Sequence, residues 1–154
     1  MKSFKEKEFQ LKTKGKTIFI GIDPGTHTGV ALWNKKEKIL AVETKKIHNA
    51  LSYVKAMHNA YKDQLFVVFE DARKRTWFGS KESQVQAKQQ GAGSVKRDCS
   101  IWEDFLQDND IDFESVKPAG GMTKLDAEQF NRLTGFKGRT SEHGRDAAML
   151  VFGK

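Results

Sequence analysis

The chain has 154 residues, 38% of them apolar, and a formal charge of +7. That is long enough for one domain with its own core, and basic enough to make a polyanion the first partner to consider. No run is long enough to span a membrane, and the single cysteine, Cys99, excludes an internal disulfide and a cysteine-based zinc site.

The opening "MKSFKEKEFQLKTKGK" lacks the apolar stretch of a signal peptide, so an intracellular, cytoplasmic protein is expected. Residues 1–16 hold six Lys and two Glu and read as a basic, flexible leader that orders on touching DNA. Residues 17–154 read as one domain. Ile18 to Asp23 is an apolar strand, and "TGVALW" (Thr28 to Trp33) follows it across a short glycine turn, which predicts a hairpin. "ILAVETKK" alternates as a third strand. The period then changes: Ile47, Leu51, Val54 and Tyr61 recur at helical spacing. "LFVVFE" (Leu65 to Glu70) is a continuous apolar run, as in a central strand covered on both faces.

Next comes the basic, aromatic stretch "ARKRTWFG", predicted as a loop, and a long helix from about Lys81 to Gln107, weakened or broken near "GAGS". "IDFESVKP" predicts a short strand. "TKLDAEQFNRL" predicts a helix capped by its threonine, Thr123, and "SEHGRDAAMLVF" a last helix capped by Ser141. The order β-β-β-α-β-α-β-α-α implies an α/β fold: a mixed five-stranded sheet with helices on both faces and strands one and four side by side.

That topology gathers acids. Asp23 ends the first strand and Glu70 the fourth, each after a buried apolar run. Neighbouring carboxylates at one sheet end repel each other and resist desolvation, and a divalent cation removes both costs. His143 and Asp146, spaced i, i+3, share a face of the last helix with Ala147, Met149 and Leu150, so that face is expected to pack on the sheet and bring an acid to the same end. Asp23 or Glu70 alone would be ordinary turn or surface residues. Together with Asp146 they suit Mg²⁺, with Mn²⁺ as a substitute, and two such ions can activate water and stabilise a leaving oxygen in phosphodiester cleavage. Alternation sends Asp71 to the opposite face from Glu70, so only one of them is a ligand, and the unbroken run before Glu70 favours it. Glu142, i, i+4 from Asp146, is a possible helper.

"IFIGIDPGTHTGVAL", "FVVFED" and "HGRDAAML", in this order and spacing, resemble the RuvC family of Holliday-junction resolvases, of the ribonuclease H-like superfamily; "TKLDAEQFNRLTGF" resembles the segment before that family's last helix. The resemblance covers residues 17–151. It implies a ribonuclease H-like fold with Asp23, Glu70 and Asp146 as metal ligands. His143 stands where many members have an acid, and its role stays open between ligand and proton carrier. The resemblance also implies a homodimer that nicks opposing strands of a four-way junction symmetrically, leaving 5′-phosphate and 3′-hydroxyl ends.

Arg73, Lys74 and Arg75 would contact phosphates, and Trp77 and Phe78 would either stack on an exposed base or cover the core. Lys81, Lys88, Lys96, Arg97 and Lys124 would extend the phosphate track. Val95, Ile101, Trp102 and Phe105 serve either the dimer contact or the core. No motif names a helicase or recombination partner. Alternatives of the same fold are nucleases for branched or flap DNA or for structured RNA, such as ribosomal-RNA-processing enzymes; a further one is a non-catalytic junction-binding protein. The glycine turn also resembles the first phosphate loop of actin-like and sugar-kinase enzymes, but those need two such domains and this chain holds one.

Overall fold

The structure, a computed structural model, describes the backbone of residues 1–75, 82–119 and 124–154, and the side chains of all of these except 82–92. Its elements in chain order are α1 (Phe4–Lys12), β1 (Ile18–Asp23), β2 (His27–Asn34), β3 (Ile39–Lys46), α2 (Ile47–Tyr61), β4 (Leu65–Glu70), α3 (Glu82–Asp108), β5 (Phe113–Val116), α4 (Ala127–Thr134) and α5 (Glu142–Val151). Short 3₁₀ turns, Lys62–Gln64 and Ala72–Lys74, flank β4. No helix among the described residues is long and apolar enough to cross a membrane.

The strands form one mixed sheet in the order β3-β2-β1-β4-β5. β1 runs antiparallel to β2 and parallel to β4, β2 antiparallel to β3, and β4 parallel to β5. β1 and β4, the central pair, are buried on both faces, which is why both read as unbroken apolar runs. β3, at the edge, is half-buried at alternate positions and carries the polar alternation.

Alternation divides the core into two layers. Ile18, Ile20, Ile22, Leu65, Val67 and Phe69 face α2 and α3, where they meet Ala50, Val54, Cys99, Trp102 and Leu106. Phe19, Ala31, Trp33, Phe66 and Val68 face the other way, against Phe130 of α4 and Ala147, Ala148 and Val151 of α5. Each fully buried large side chain contributes roughly 1.5–3 kcal/mol of burial free energy. Trp102 is one of them, so it belongs to the core, with Val95 and Phe105 packed on the same cluster; Ile101 remains exposed.

Three local expectations are corrected. The flexible leader is in large part a helix, α1, which is closed by a reciprocal capping box between Ser3 and Glu6. Phe9 holds it down, 6.4 Å from the Phe19 ring and 5.7 Å from that of Phe66. Lys16 then pairs with Asp112 at the far edge of the sheet. The expected break near "GAGS" is absent, since α3 runs unbroken through residues 91–94. Glycine there costs about 1 kcal/mol per residue, which the burial of Cys99, Trp102 and Leu106 further along the helix offsets. Finally, α4 starts later than predicted. Its cap is Asp126, in a capping box with Gln129, and Thr123 lies outside the described residues.

Candidate active site

Parallel pairing of Ile22 with Phe69 sets Asp23 and Glu70 beside each other at the carboxyl ends of the two central strands. By alternation both lie on the α5 face, and Asp71 on the α3 face. Two glycines let α5 come close enough to complete the group. A Cβ on Gly21 would overlap the carbonyl oxygen of Ala147, and a Cβ on Gly29 would overlap that of His143. The helix backbone therefore rests directly on β1 and β2. Ser141 caps α5 by accepting from the Gly144 N–H at 2.9 Å, and its hydroxyl also bonds Thr44 of β3. The buried Thr28 hydroxyl donates to the Gly25 carbonyl at 2.7 Å and closes the turn after Asp23.

The result is a cluster of Asp23, Glu70, His143 and Asp146, with Lys124 and Glu142 beside it. His143 Nδ1 lies 2.8 Å from Asp23 Oδ2. Asp146 is 13% exposed and accepts from Lys124 Nζ at 3.0 Å. Lys124 also reaches Glu142 Oε1 at 3.4 Å. Among the described residues no hydrogen bond or ion pair reaches the Glu70 carboxyl. Its pKa is accordingly pushed up to about 7, first by burial and then by the charges of Asp23 and Asp146. Burial also raises the Asp23 carboxyl, and Asp146 adds to the rise, while the His143 bond works against it. The hydrogen bond that Lys124 donates to Asp146 raises the pKa of its ammonium. A cavity of about 100 Å³ lies between Glu70, Lys124, Arg145 and Asp146.

Among the described residues no three His, Cys, Asp and Glu side chains form a ready-made metal cage. The donor chemistry nevertheless fits a hard cation. The set consists of oxygen donors, the charges of Asp23 and Asp146 help raise the Glu70 pKa, and the ammonium of Lys124 rests on Asp146.

Other predicted contacts fall elsewhere. Asp71, 2% exposed, is held below the usual carboxylate range by hydrogen bonds from Arg73, whose Nε and Nη2 each lie 2.8 Å from it. Arg73 also binds Glu103 and, at 3.3 Å, Ser100 of α3. It is therefore committed to tying β4 to α3 rather than to a phosphate. Lys74 donates to the Ser115 carbonyl at 2.8 Å, which draws it toward β5. Lys124, placed by the sequence on the phosphate track, sits among the acids instead. Arg75 and Lys96 are exposed, and Arg97 is exposed with Asp98 at 3.7 Å. Trp77, Phe78 and Lys81 lie outside the described residues, as does the side chain of Lys88.

Sequence reasoning missed the seats made by Gly21 and Gly29. It also missed Arg145, which donates to the carbonyls of Leu125 at 3.1 Å and Thr140 at 2.9 Å and so ties the segment after Lys124 to α5. A glycine inside a strand was the available signal, since it marks close backbone approach. No family model matches the chain, and no curated protein matches its sequence.

Proposed function

We propose that this chain is a metal-dependent endodeoxyribonuclease of the RuvC type, with a ribonuclease H-like fold, which acts as a homodimer in the DNA-containing compartment of the cell and resolves four-way junctions by paired nicks. One observation carries the reading: three carboxylates, from β1, β4 and α5, meet at one end of the sheet, where burial first, and then the charges of Asp23 and Asp146, push the Glu70 pKa up to about 7. Such an arrangement is unfavourable without added positive charge.

Asp23, Glu70 and Asp146 would hold Mg²⁺ or Mn²⁺, which when bound would sharpen the nucleophilicity of water and neutralise charge on the phosphate. The remaining chemistry belongs to the chain. Asp23 orients the His143 ring through Nδ1, which leaves Nε2 to take a proton from the attacking water or give one to the leaving oxygen. The His143 side chain is 54% exposed, open to a substrate approaching from solvent. Arg75, Lys96 and Arg97 supply phosphate contacts from the α3 side, and their loss weakens binding and flattens its salt dependence.

The test is cleavage of a synthetic four-way junction in Mg²⁺, beside a fork, a linear duplex and a structured RNA. Paired symmetric nicks on the junction alone, lost in Asp23→Asn, are expected. Equal cutting of the fork or the RNA would move the chain to a general branched-substrate nuclease. Tight junction binding with no cut in Mg²⁺ or Mn²⁺ would make it a binding protein.

A further inference from the structure

Lys124 stands among the acids and takes no part in the proposed chemistry. Its ammonium lies 3.0 Å from Asp146 Oδ2 and 3.4 Å from Glu142 Oε1, and so bridges two acids one helical turn apart on α5. The backbone beside it is fixed. Arg145 grips the Leu125 carbonyl, and Asp126 caps α4. The side chain is a four-carbon stem, 37% exposed, next to the small cavity between Glu70 and Asp146. A fixed root with a free stem gives the ammonium two stations, on the acids or swung away from them.

Resting on the metal-site reading above, we propose that Lys124 is a tethered competitor for the cation. It occupies Asp146 while the site is empty and must leave that carboxylate before a divalent ion can be bound there in full. Charge favours the exchange. Asp23, Glu70 and Asp146 can place three negative charges around a single ammonium, which compensates only one of them. A divalent ion neutralises more, but its gain is reduced by the contacts that Lys124 gives up. Once displaced, Lys124 stands beside the site as a free cation at the place where a phosphodiester would arrive. Anything that draws the ammonium off Asp146 therefore tightens the metal, and linkage makes the effect reciprocal: metal loading and phosphate binding favour each other. Lys124 thus weakens metal binding at the site until polyanion draws the ammonium away.

The experiment is Mn²⁺ binding to the full chain without DNA, read as free Mn²⁺ by electron paramagnetic resonance. Four proteins are compared: wild type, Lys124→Met, Lys124→Arg and Lys36→Met, the last removing the same charge from an exposed turn at the opposite end of β2. Lys124→Met should bind Mn²⁺ about fivefold more tightly than wild type, an increment typical of a partly exposed ion pair. Lys124→Arg and Lys36→Met should stay close to wild type. Equal affinity in Lys124→Met and wild type, or an equal gain in Lys36→Met, would overturn the competitor role and leave the metal site standing. Weaker binding in Lys124→Met would overturn it too, by making the lysine a supporter of the ion. Absence of Mn²⁺ binding in all four proteins would remove the metal site together with its competitor.

Discussion

Glu70 and Asp71 are chemically similar neighbours at the end of one strand, yet they face opposite layers of the molecule and meet opposite electrostatics. Glu70 lies on the α5 face beside Asp23 and Asp146, its carboxyl without a hydrogen-bonding partner among the described residues, and its pKa rises to about 7. Asp71 lies on the α3 face, buried, gripped by both arms of Arg73, and its pKa falls. One acid is satisfied by the fold and binds the sheet to α3. The other is left in want of positive charge, and the fold around it is arranged to keep it so. Burial alone does not separate the two acids by electrostatics, because the more buried of them, Asp71, is the one whose charge the fold compensates. The absence of a partner, together with like charges converging from other elements, is what marks it.

The contrast can be sharpened by substitution on each face. The largest effect belongs to activity. Asp23→Asn or Glu70→Gln should lower junction cleavage by about a thousandfold, since charge stabilisation at such a site is worth several kcal/mol, while circular dichroism reports an intact fold. Next is Gly29→Ala, whose methyl would overlap the His143 carbonyl and push α5 off the sheet; overpacking against backbone costs about 3 kcal/mol, readable as a shift in the urea midpoint. Asp71→Ala should cost about 2 kcal/mol by leaving Arg73 with Glu103 and Ser100, the scale of a lost charged hydrogen bond.

The pH dependences of the two acids run in opposite directions. The Glu70 pKa is raised in the folded state, so its contribution is full below about 4.5 and is lost as pH rises through about 7. In chelator, the protein should lose on the order of 1–2 kcal/mol between pH 5 and pH 8 through this group, the shift being discounted for solvent access. The Asp71 pKa is lowered, so its contribution is present above about 3.8 and is lost as pH falls below that value. A thermal melt series from pH 3 to pH 8 checks both limbs. The smallest effect is that of Phe9→Ala in α1, about 1 kcal/mol for a partly buried ring. It should leave the pH profile of Glu70 unchanged, because α1 packs at the other end of β1, on Phe19 and Phe66.

Strand positions and the placing of β1 beside β4, with Asp23 and Glu70 at their ends, were legible in the sequence. Strands of different burial carry different periods, and a polar residue ending an apolar run leaves few places for it to go. The last helix was legible down to its cap, Ser141, because a cap is a local signal. Contacts across sequence distance were not legible. Lys124 bonds Asp146 from 22 residues away, and Arg73 reaches Glu103 from 30. A lysine beside a helix start and an arginine in a basic run look the same whether they face DNA or their own fold. The leader was misread for the same reason: its charge suggests disorder, while the distant rings of Phe19 and Phe66 give Phe9 a place to pack.

The claim that Glu70 is an acid kept without a partner for a cation is tested most directly by the melting temperature of Glu70→Gln in chelator at pH 8, with and without excess Mg²⁺, beside wild type. The account predicts that Glu70→Gln melts higher than wild type in chelator, because a repelled charge has been removed, and that it loses most of the gain that Mg²⁺ gives wild type. A variant that melts lower than wild type in chelator, or that gains as much from Mg²⁺, would contradict it.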